Sequence, residues 1–290
     1  MYQQSITHIN RTAIVIAIDS SISMQEWTTL HNTPMRKMEA ASIIANFIID
    51  ELTLRTTRGE EVRNYYDIMV IAYSGDGVEV VVGDEHGGMI GISHLVENTP
   101  QPKCYHINQD CNQERGISTP ITLHEWVSPK ACGTTPTYEA FSHIKRVLSD
   151  WCDNPHNKES FPPLVINISD GGCSDADEAE MLDIARDIRE LSTADGATLL
   201  VNIYLSASDR QESSPIIFPS ECGVISNDDD CQMLYKMSST LPTEVEWVIE
   251  EMKGDRGVAP YKCFARNASI CEILAIADIG TEGYHGIKYK

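Results

Sequence analysis

Short, continuously apolar segments bounded by turn residues recur along the chain. They lie at residues 13–18, 67–73, 78–82, 164–168 and 198–205. Strands that are covered by helices on both faces of a sheet have this pattern, whereas half-exposed strands alternate between apolar and polar residues. The tight-turn sequence Ser-Gly-Asp-Gly at 74–77 joins the second segment to the third. It predicts an antiparallel hairpin at one edge of the sheet.

Between these segments the apolar residues recur with the helical period of 3.6. The pattern predicts helices at 35–55, 137–151 and 176–192, a short helix around 231–239, and a last helix at 268–279 that is closed by Gly280. We expect Pro34 and Pro136 at helix starts, and Ser174 or Asp175 as the cap of the third helix. The predicted core-facing stripes are Met38, Ala41, Ala45, Ile48 and Leu52; Tyr138, Phe141, Ile144, Leu148 and Trp151; and Met181, Ile184, Ala185, Ile188 and Leu191.

Alternating strands and helices predict an α/β fold: a Rossmann-like, doubly wound, mostly parallel sheet with one antiparallel edge strand and helices on both faces. We expect one domain over residues 1–290. Residues 84–131 are rich in Gly, Pro, Asn, His and Cys, which predicts a surface insertion of turns with room for a hairpin. The stretch 206–230 is loop-like, and residues from about 207 to 290 form a predicted C-terminal extension.

The charge of the chain is strongly negative, with 43 acidic and 22 basic residues and a formal net charge of −21. This balance argues against nucleic acid or an anionic membrane as the main partner. The first eleven residues have neither a basic nor an apolar signal region, and no apolar segment approaches the length of a membrane span. Nine cysteines without a CxxC pair favour free thiols,. We therefore expect a cytoplasmic protein.

Carboxylates and hydroxyls follow the predicted strands. Residues 19–23 (Asp-Ser-Ser-Ile-Ser) follow the first strand, Ser169 and Asp170 follow the strand at 164–168, and Thr135 precedes the helix at 137. Taken alone, residues 19–23 more often only end a strand or cap a helix. In an open α/β sheet, however, such loops converge outside the carboxyl ends of the strands. The set is two carboxylates and three hydroxyls, which suits Mg²⁺ or Mn²⁺: Asp19, Ser21, Ser23, Thr135 and Asp170.

Three motifs in order resemble the metal-ion-dependent adhesion site of von Willebrand factor A domains: DxSxS at 19–23, a Thr-Pro step at 135–136, and SDG at 169–171. The resemblance implies that fold and a bound Mg²⁺, Mn²⁺ or Ca²⁺. The implied ligands are Asp19, Ser21, Ser23, Thr135 and Asp170, with Thr134 as the alternative if the loop is shifted by one residue. A vacant coordination position would accept a Glu or Asp carboxylate from a protein partner.

Segments of the tail, at 215–220, 236–242 and 267–281, are similar to stand-alone bacterial A-domain proteins related to those of tellurite-resistance systems. Such proteins often occur beside a PP2C-type phosphatase and a protein kinase. The resemblance implies an adaptor or scaffold in intracellular signalling. The resemblance to A domains, some of which couple metal occupancy to a shift of their last helix, also makes the last predicted helix, 268–279, a candidate for such a shift.

The alternative function is a metal-dependent phosphatase or hydrolase that uses the same oxygen ligands. Phosphatases of the haloacid dehalogenase type also place an Asp after the first strand, but they need a second Asp where this chain has Ser21. GxSxG and HExxH are both absent,, so we expect a binding protein that is not an enzyme.

Other polar clusters have simpler interpretations. Cys104, His106 and Cys111 could hold zinc, but their spacing lacks the usual short pairs. Residues 228–230 (Asp-Asp-Asp) are predicted to form a solvated loop, and Gly171-Gly172 is predicted to serve turn geometry and not phosphate binding.

Overall fold

The structure is a computed structural model that describes residues 2–31, 33–58, 61–75, 77–108, 118–207, 215–220, 228–246, 249 and 259–281. The helices are α1 (Lys37–Thr56), α2 (Ile92–Glu97), α3 (Thr137–Asp153), α4 (Glu178–Glu190), α5 (Asp229–Met237) and α6 (Ile270–Thr281). The strands are β1 (Thr12–Asp19), β2 (Trp27–Leu30), β3 (Thr33–Arg36), β4 (Thr57–Arg58), β5 (Glu61–Val62), β6 (Tyr66–Ser74), β7 (Gly77–Val82), β8 (Ile90–Gly91), β9 (Pro102–Asn108), β10 (Ser118–His124), β11 (Leu164–Ser169), β12 (Ser192–Thr193), β13 (Gly196–Ala197), β14 (Leu199–Tyr204), β15 (Ile216–Ile217) and β16 (Phe264–Arg266).

The main sheet has the strand order β15-β16-β14-β11-β1-β6-β7, and β8 also pairs with β6. The five central strands are parallel, whereas β7 and β8 run antiparallel to β6. The prediction of a mostly parallel sheet with an antiparallel edge strand at the 74–77 turn is therefore confirmed. The opposite edge also ends in an antiparallel strand, β15, which the pattern did not reveal because it contains only two residues.

The two faces of the sheet carry separate cores, since successive side chains of a strand point to opposite faces. On β1, Ile14, Ile16 and Ile18 belong to one core with residues of α1, α2 and α6. Ala13 and Val15 belong to the other core, with residues of α3, α4 and α5. All eight residues of β1 are buried. The predicted doubly wound α/β fold is confirmed, and its central strand is apolar throughout because helices cover both faces.

Strand β16 was not predicted. It contains only three residues and pairs in parallel with β14, bringing Phe264 beside Asn202. Sequence periodicity cannot distinguish so short a strand from a loop. Residues from the predicted C-terminal extension therefore complete the main sheet through β15 and β16 and cover it with α5 and α6.

The segment 84–131 contributes to the core as well as to the surface. Its described part contains α2 and the antiparallel hairpin of β9 and β10, while residues 109–117 lie outside the described residues. Ile92, Leu95, Ile107 and Leu123 are buried in the core that α1 also contributes to. The segment is fixed to α1 at Asp50, whose carboxylate accepts hydrogen bonds from the backbone and ring of His124 and from the Trp126 indole.

Several predicted helix ends are wrong. Pro34 lies in strand β3, and α1 begins at Lys37. Helix α6 passes Gly280 and runs to Thr281. Tyr138, a predicted core residue, is 38% exposed. These errors arise because local sequence signals indicate that a helix is present but do not fix its terminal residues. They also do not show which neighbouring elements bury a given side chain of the helix.

The caps of α4 and α5 also differ from the prediction. Asp177 caps α4, accepting the Glu180 amide at 2.9 Å, while the Glu180 carboxylate accepts the Asp177 amide. Ser174 instead accepts the Thr135 amide of the loop before α3. Asp175 accepts the Tyr138 and Glu139 amides in the first turn of α3. Asp228 caps α5, so residues 228–230 start a helix and are not a solvated loop. No helix in the described ranges is both long enough and apolar enough to cross a membrane.

Candidate metal site

The candidate site lies where the order of the parallel strands reverses. When β1, β6, β7, β11, β14 and β16 are numbered one to six along the chain, the sheet order is 3-2-1-4-5-6. In such a sheet a crevice opens at the carboxyl ends of the two central strands, because their connections leave in opposite directions. Asp19 is the last residue of β1, and Asp170 follows the last residue of β11. The fold thus brings the two predicted acidic ligands to this crevice.

The carboxylate of Asp19 is buried at the floor of the site. Oδ1 accepts the Ser21 amide at 2.9 Å, and Oδ2 accepts the Ser169 hydroxyl at 2.9 Å. Burial, followed by the negative charge of Asp170, raises the pKa of Asp19 to about 6. The two hydrogen bonds to Asp19 do not fully offset these effects, so its ionised form is disfavoured in the absence of further positive charge.

Ser21 and Ser23 present their hydroxyls together. A short 3-10 turn over Ile22–Gln25 returns the chain, so that the two Oγ atoms lie 3.0 Å apart. Ile22 donates its amide to the Gly133 carbonyl at 3.0 Å. This hydrogen bond joins the loop after β1 to the loop that carries Thr135.

The loop that carries Thr135 is held in place on both sides. Gly133 has a φ of +65°, and a Cβ added to Gly75 would lie 2.9 Å from the Gly133 Cα atom. The Thr135 amide donates to Ser174 Oγ at 3.0 Å, and its carbonyl accepts the Ser174 amide at 2.9 Å. Thr135 is buried and Thr134 is exposed. The structure therefore places the Thr before Pro, and not Thr134, toward the interior of the crevice.

Gly172 leaves a space between oxygen atoms of two loops. A Cβ at this position would lie 3.4 Å from Thr135 Oγ1 and 3.7 Å from Asp170 Oδ1. The two oxygen atoms thus line a space that the side chain of any residue larger than glycine at position 172 would fill. Together with the buried Asp19 carboxylate and the paired serine hydroxyls, they form an all-oxygen donor set. Such a set fits a hard divalent cation such as Mg²⁺.

Sequence reasoning missed Lys37 and Glu26, and it gave Ser169 only as part of the SDG motif and not as a site residue. Lys37 donates to Asp170 Oδ2 at 2.9 Å and to Glu26 Oε2 at 2.7 Å. Ser169 bridges Asp19 and the Gly171 amide through its hydroxyl. A signal existed for Lys37: it is the first residue of a helix, where the helix dipole disfavours a positive charge unless a carboxylate pairs with it.

A buried polar network lies across the strands behind the site. Tyr73, which is paired in register with Asp19, donates its hydroxyl to Asn167 at 2.9 Å. Asn167 donates to Asn202 at 2.9 Å, and Asn202 donates to Ser238 Oγ at 3.0 Å. Buried polar groups that are satisfied in this way fix the relative positions of neighbouring elements. The network therefore joins the strands that carry the site to the end of α5.

The zinc alternative finds no support in the described part of the chain. There, no group of three or more His, Cys, Asp or Glu side chains is arranged to hold a metal. Cys104 is a free, exposed thiol, and Cys111 lies outside the described residues. The proposed ligand set has two acids, Asp19 and Asp170, and hydroxyls supply its remaining oxygens.

No protein-family model matches the chain, and no curated protein matches it. Among solved structures, the von Willebrand factor type A protein from Catenulispora acidiphila is similar, at 15% identity and a TM-score of 0.38 over 67% of this chain and 33% of that one. An uncharacterized membrane spanning protein from Vibrio fischeri is similar at 12% identity and a TM-score of 0.28, over 67% and 70% of the two chains.

This chain thus spans about a third of the length of the first structure. Likenesses with such low TM-scores carry no argument about fold or function. The α/β fold class rests on the strand order, the parallel pairing and the two helical layers described above.

Proposed function

We propose that the chain is a metal-dependent protein-binding module of the von Willebrand factor A type. Asp19, Ser21, Ser23, Thr135 and Asp170 would hold a divalent cation, Mg²⁺ or alternatively Mn²⁺ or Ca²⁺, directly or through water. When bound, the cation supplies an open coordination position for a Glu or Asp carboxylate of a partner protein. The module binds its partner and is not an enzyme.

The observation that carries this proposal is the pairing of two buried carboxylates with neutral hydroxyls at the strand reversal. Buried acids that serve only structure are usually satisfied by several hydrogen-bond donors. Here the Ser21 and Ser23 hydroxyls share one hydrogen bond of 3.0 Å with each other, and Thr135 Oγ1 borders the same space as Asp170 Oδ1. Oxygen atoms that converge in this way stabilise a cation better than they stabilise one another.

The net charge of the chain constrains the partner. With a formal charge of −21, the protein repels acidic surfaces at long range. The partner would therefore present one acidic side chain on a neutral or basic surface. The tail segments that are similar to stand-alone bacterial A-domain proteins favour a PP2C-type phosphatase or a protein kinase as this partner, in cytoplasmic signalling, with neither nucleic acid nor membrane involved.

Calorimetric titration with Mg²⁺, Mn²⁺ and Ca²⁺ tests the metal site. The wild type should bind at least one of them with one-to-one stoichiometry. Thr135→Val should weaken binding at least about tenfold, since it removes one oxygen ligand at a cost of about 1.4 kcal/mol or more. The matched control is Thr198→Val, which removes another buried hydroxyl, one that donates to the Leu191 carbonyl. Equal affinities in wild type and Thr135→Val would contradict the proposed ligand set.

Affinity capture from the native cell, with and without EDTA, tests the binding role. A partner retained by the wild type should be lost with EDTA and with Thr135→Ala, and kept by Thr198→Val. A partner that survives both EDTA and Thr135→Ala rules out the metal bridge. Phosphomonoester turnover in Mg²⁺ that disappears in Asp19→Ala would favour the hydrolase alternative.

A further inference from the structure

Lys37 places a positive charge inside the candidate site. Its side chain is only 4% exposed, and its ammonium group donates to Asp170 Oδ2 at 2.9 Å and to Glu26 Oε2 at 2.7 Å. A lysine at the start of a helix is opposed by the helix dipole, and a buried ammonium is costly to desolvate. The position of Lys37 is therefore explained by its ion pairs and not by helix formation.

The two carboxylate oxygens of Asp170 have different neighbours. Oδ2 is held by the ammonium group, whereas Oδ1 borders the space beside Gly172 that Thr135 Oγ1 also borders. One oxygen of Asp170 is thus committed to Lys37, and the other is left for a bound cation.

The charge balance of the buried groups explains what such a lysine does. The buried carboxylates of Asp19 and Asp170 together carry two negative charges, and the buried ammonium group of Lys37 carries one positive charge. Glu26 is 57% exposed, so water screens much of its charge,. A divalent cation then leaves the buried site with one surplus positive charge. Without Lys37 the loaded site would be neutral.

We propose that Lys37 is the specificity-determining residue of this site, which lowers its affinity for the divalent cation and raises the affinity of the loaded site for a carboxylate. This inference rests on the proposed function, because it assumes that the oxygen set holds a metal. Its physical basis is that the surplus positive charge repels the incoming cation and attracts an anionic ligand in a water-poor crevice. A neutral ligand would gain nothing from it.

The test compares Lys37→Met with the wild type in two titrations. In calorimetry, Lys37→Met should bind Mn²⁺ about tenfold more tightly, because one repelling charge is removed. In the second titration, acetate is added to Mn²⁺-saturated protein, and displacement of Mn²⁺-bound water is followed by water-proton relaxation. Lys37→Met should need about tenfold more acetate for the same loss of relaxation enhancement.

Three variants serve as controls. Lys37→Arg keeps the charge and should stay close to wild type in both titrations. Lys236→Met removes a lysine from a surface pair with Glu178 and tests the effect of net charge alone; it should also match the wild type. Lys37→Gln keeps a hydrogen-bond donor for Asp170 without the charge, so it can replace Lys37→Met if that variant does not fold.

The outcomes separate this inference from the proposed function. If the wild type does not bind Mn²⁺, the proposed metal site fails and this inference fails with it. If the wild type binds Mn²⁺ but the uncharged variants bind Mn²⁺ no more tightly, or take up acetate equally well, the assignment of Lys37 is overturned while the metal site stands. Opposite changes in the two titrations support the assignment.

Discussion

The two ends of the parallel strands each hold a buried aspartate, and the two residues have opposite surroundings. At the amino ends, Asp195 accepts backbone N–H groups of Gln3 and Gln4 at 2.9 and 3.1 Å. Tyr2 closes this end by donating its hydroxyl to the Ala197 carbonyl. At the carboxyl ends, burial and, after it, the negative charge of a second acid, Asp170, raise the pKa of Asp19.

The difference separates an aspartate that is satisfied by backbone donors from one that we propose as a metal ligand. The Asp195 carboxylate accepts two backbone N–H groups, those of Gln3 and Gln4. Asp19 has one backbone donor and one hydroxyl donor; burial and then the like charge of Asp170 raise its pKa, and hydrogen bonds from Ser21 and Ser169 lower it only in part. The first arrangement holds the N-terminal segment at the amino ends of the strands, whereas the second is the one that our proposed cation would stabilise. The predictions below test this contrast, from the largest effect to the smallest.

Removal of Asp170 should abolish stabilisation by metal, whereas removal of Asp195 should not. For the wild type, a cation at about 100 times its dissociation constant should raise the free energy of unfolding by about 2.7 kcal/mol. Asp170→Asn should lose this increment because a ligand is removed, while Asp195→Asn should keep it. Thermal denaturation of each variant, with and without the metal identified by calorimetry, measures the effect. Equal increments in both variants would remove the proposed difference between the two ends.

In the presence of a chelator, Asp19→Asn and Asp195→Asn should change stability in opposite directions. At pH 7.5, Asp19→Asn should stabilise the protein by about 2 to 3 kcal/mol, because it removes a charge that burial and Asp170 disfavour. Asp195→Asn should destabilise it by about 1 to 2 kcal/mol through weakened bonds to backbone amides. Denaturant unfolding gives both values. A destabilising Asp19→Asn would show that Asp19 is satisfied without metal.

The pH dependence of metal-free stability should reflect Asp19. Its pKa is raised from 3.8 to about 6 in the folded protein, so between these values the folded state binds more protons than the unfolded state. Stability attributable to this group is therefore lost as pH rises through this window, by about 1 to 2 kcal/mol from pH 4.5 to 6. The difference between wild type and Asp19→Asn in denaturant unfolding isolates this group. A difference that does not vary with pH would contradict the raised pKa.

The two adjacent glycines provide the finest comparison. Gly171 has a φ of +90°, and a Cβ there would lie 2.7 Å from Asp230 Cβ, so Gly171→Ala should destabilise the fold by more than about 1 kcal/mol. Gly172→Ala should change stability by less than about 0.5 kcal/mol. It should nevertheless weaken metal binding severalfold, because its methyl group enters the space beside Thr135 Oγ1,. Unfolding and metal titration of both variants measure these effects, and a Gly172→Ala variant with wild-type metal affinity would place the cation elsewhere.

Much of the fold could be predicted from the sequence because its central strands are mostly apolar and are buried on both faces of the sheet. The segments 13–18 and 164–168 correspond to β1 and β11, and the turn at 74–77 joins an antiparallel pair. Strand β16 could not be predicted, since three residues give no periodicity. Its pairing with β14 depends on a contact between residues more than sixty positions apart.

The candidate site was only partly accessible from the sequence. The strand ends at Asp19 and Asp170 could be predicted to meet, because parallel strands place their carboxyl ends at one edge. The contact of Lys37 with Asp170 could not be predicted, since it joins a helix start to a strand end 133 positions away. The packing of Gly75 against Gly133 likewise depends on the approach of two loops.

The sequence by itself determined the long central strands, the antiparallel edge at the 74–77 turn and the oxygen-bearing residues that follow the strands, because these depend on local periodicity and on residue chemistry. The tertiary structure alone decided that Thr135 and not Thr134 is buried, that Gly172 leaves space beside Asp170, and that Lys37 lies within the site. These features depend on distances between separate loops. Such distances are set by the packing of helices on the two faces of the sheet, which no local pattern encodes.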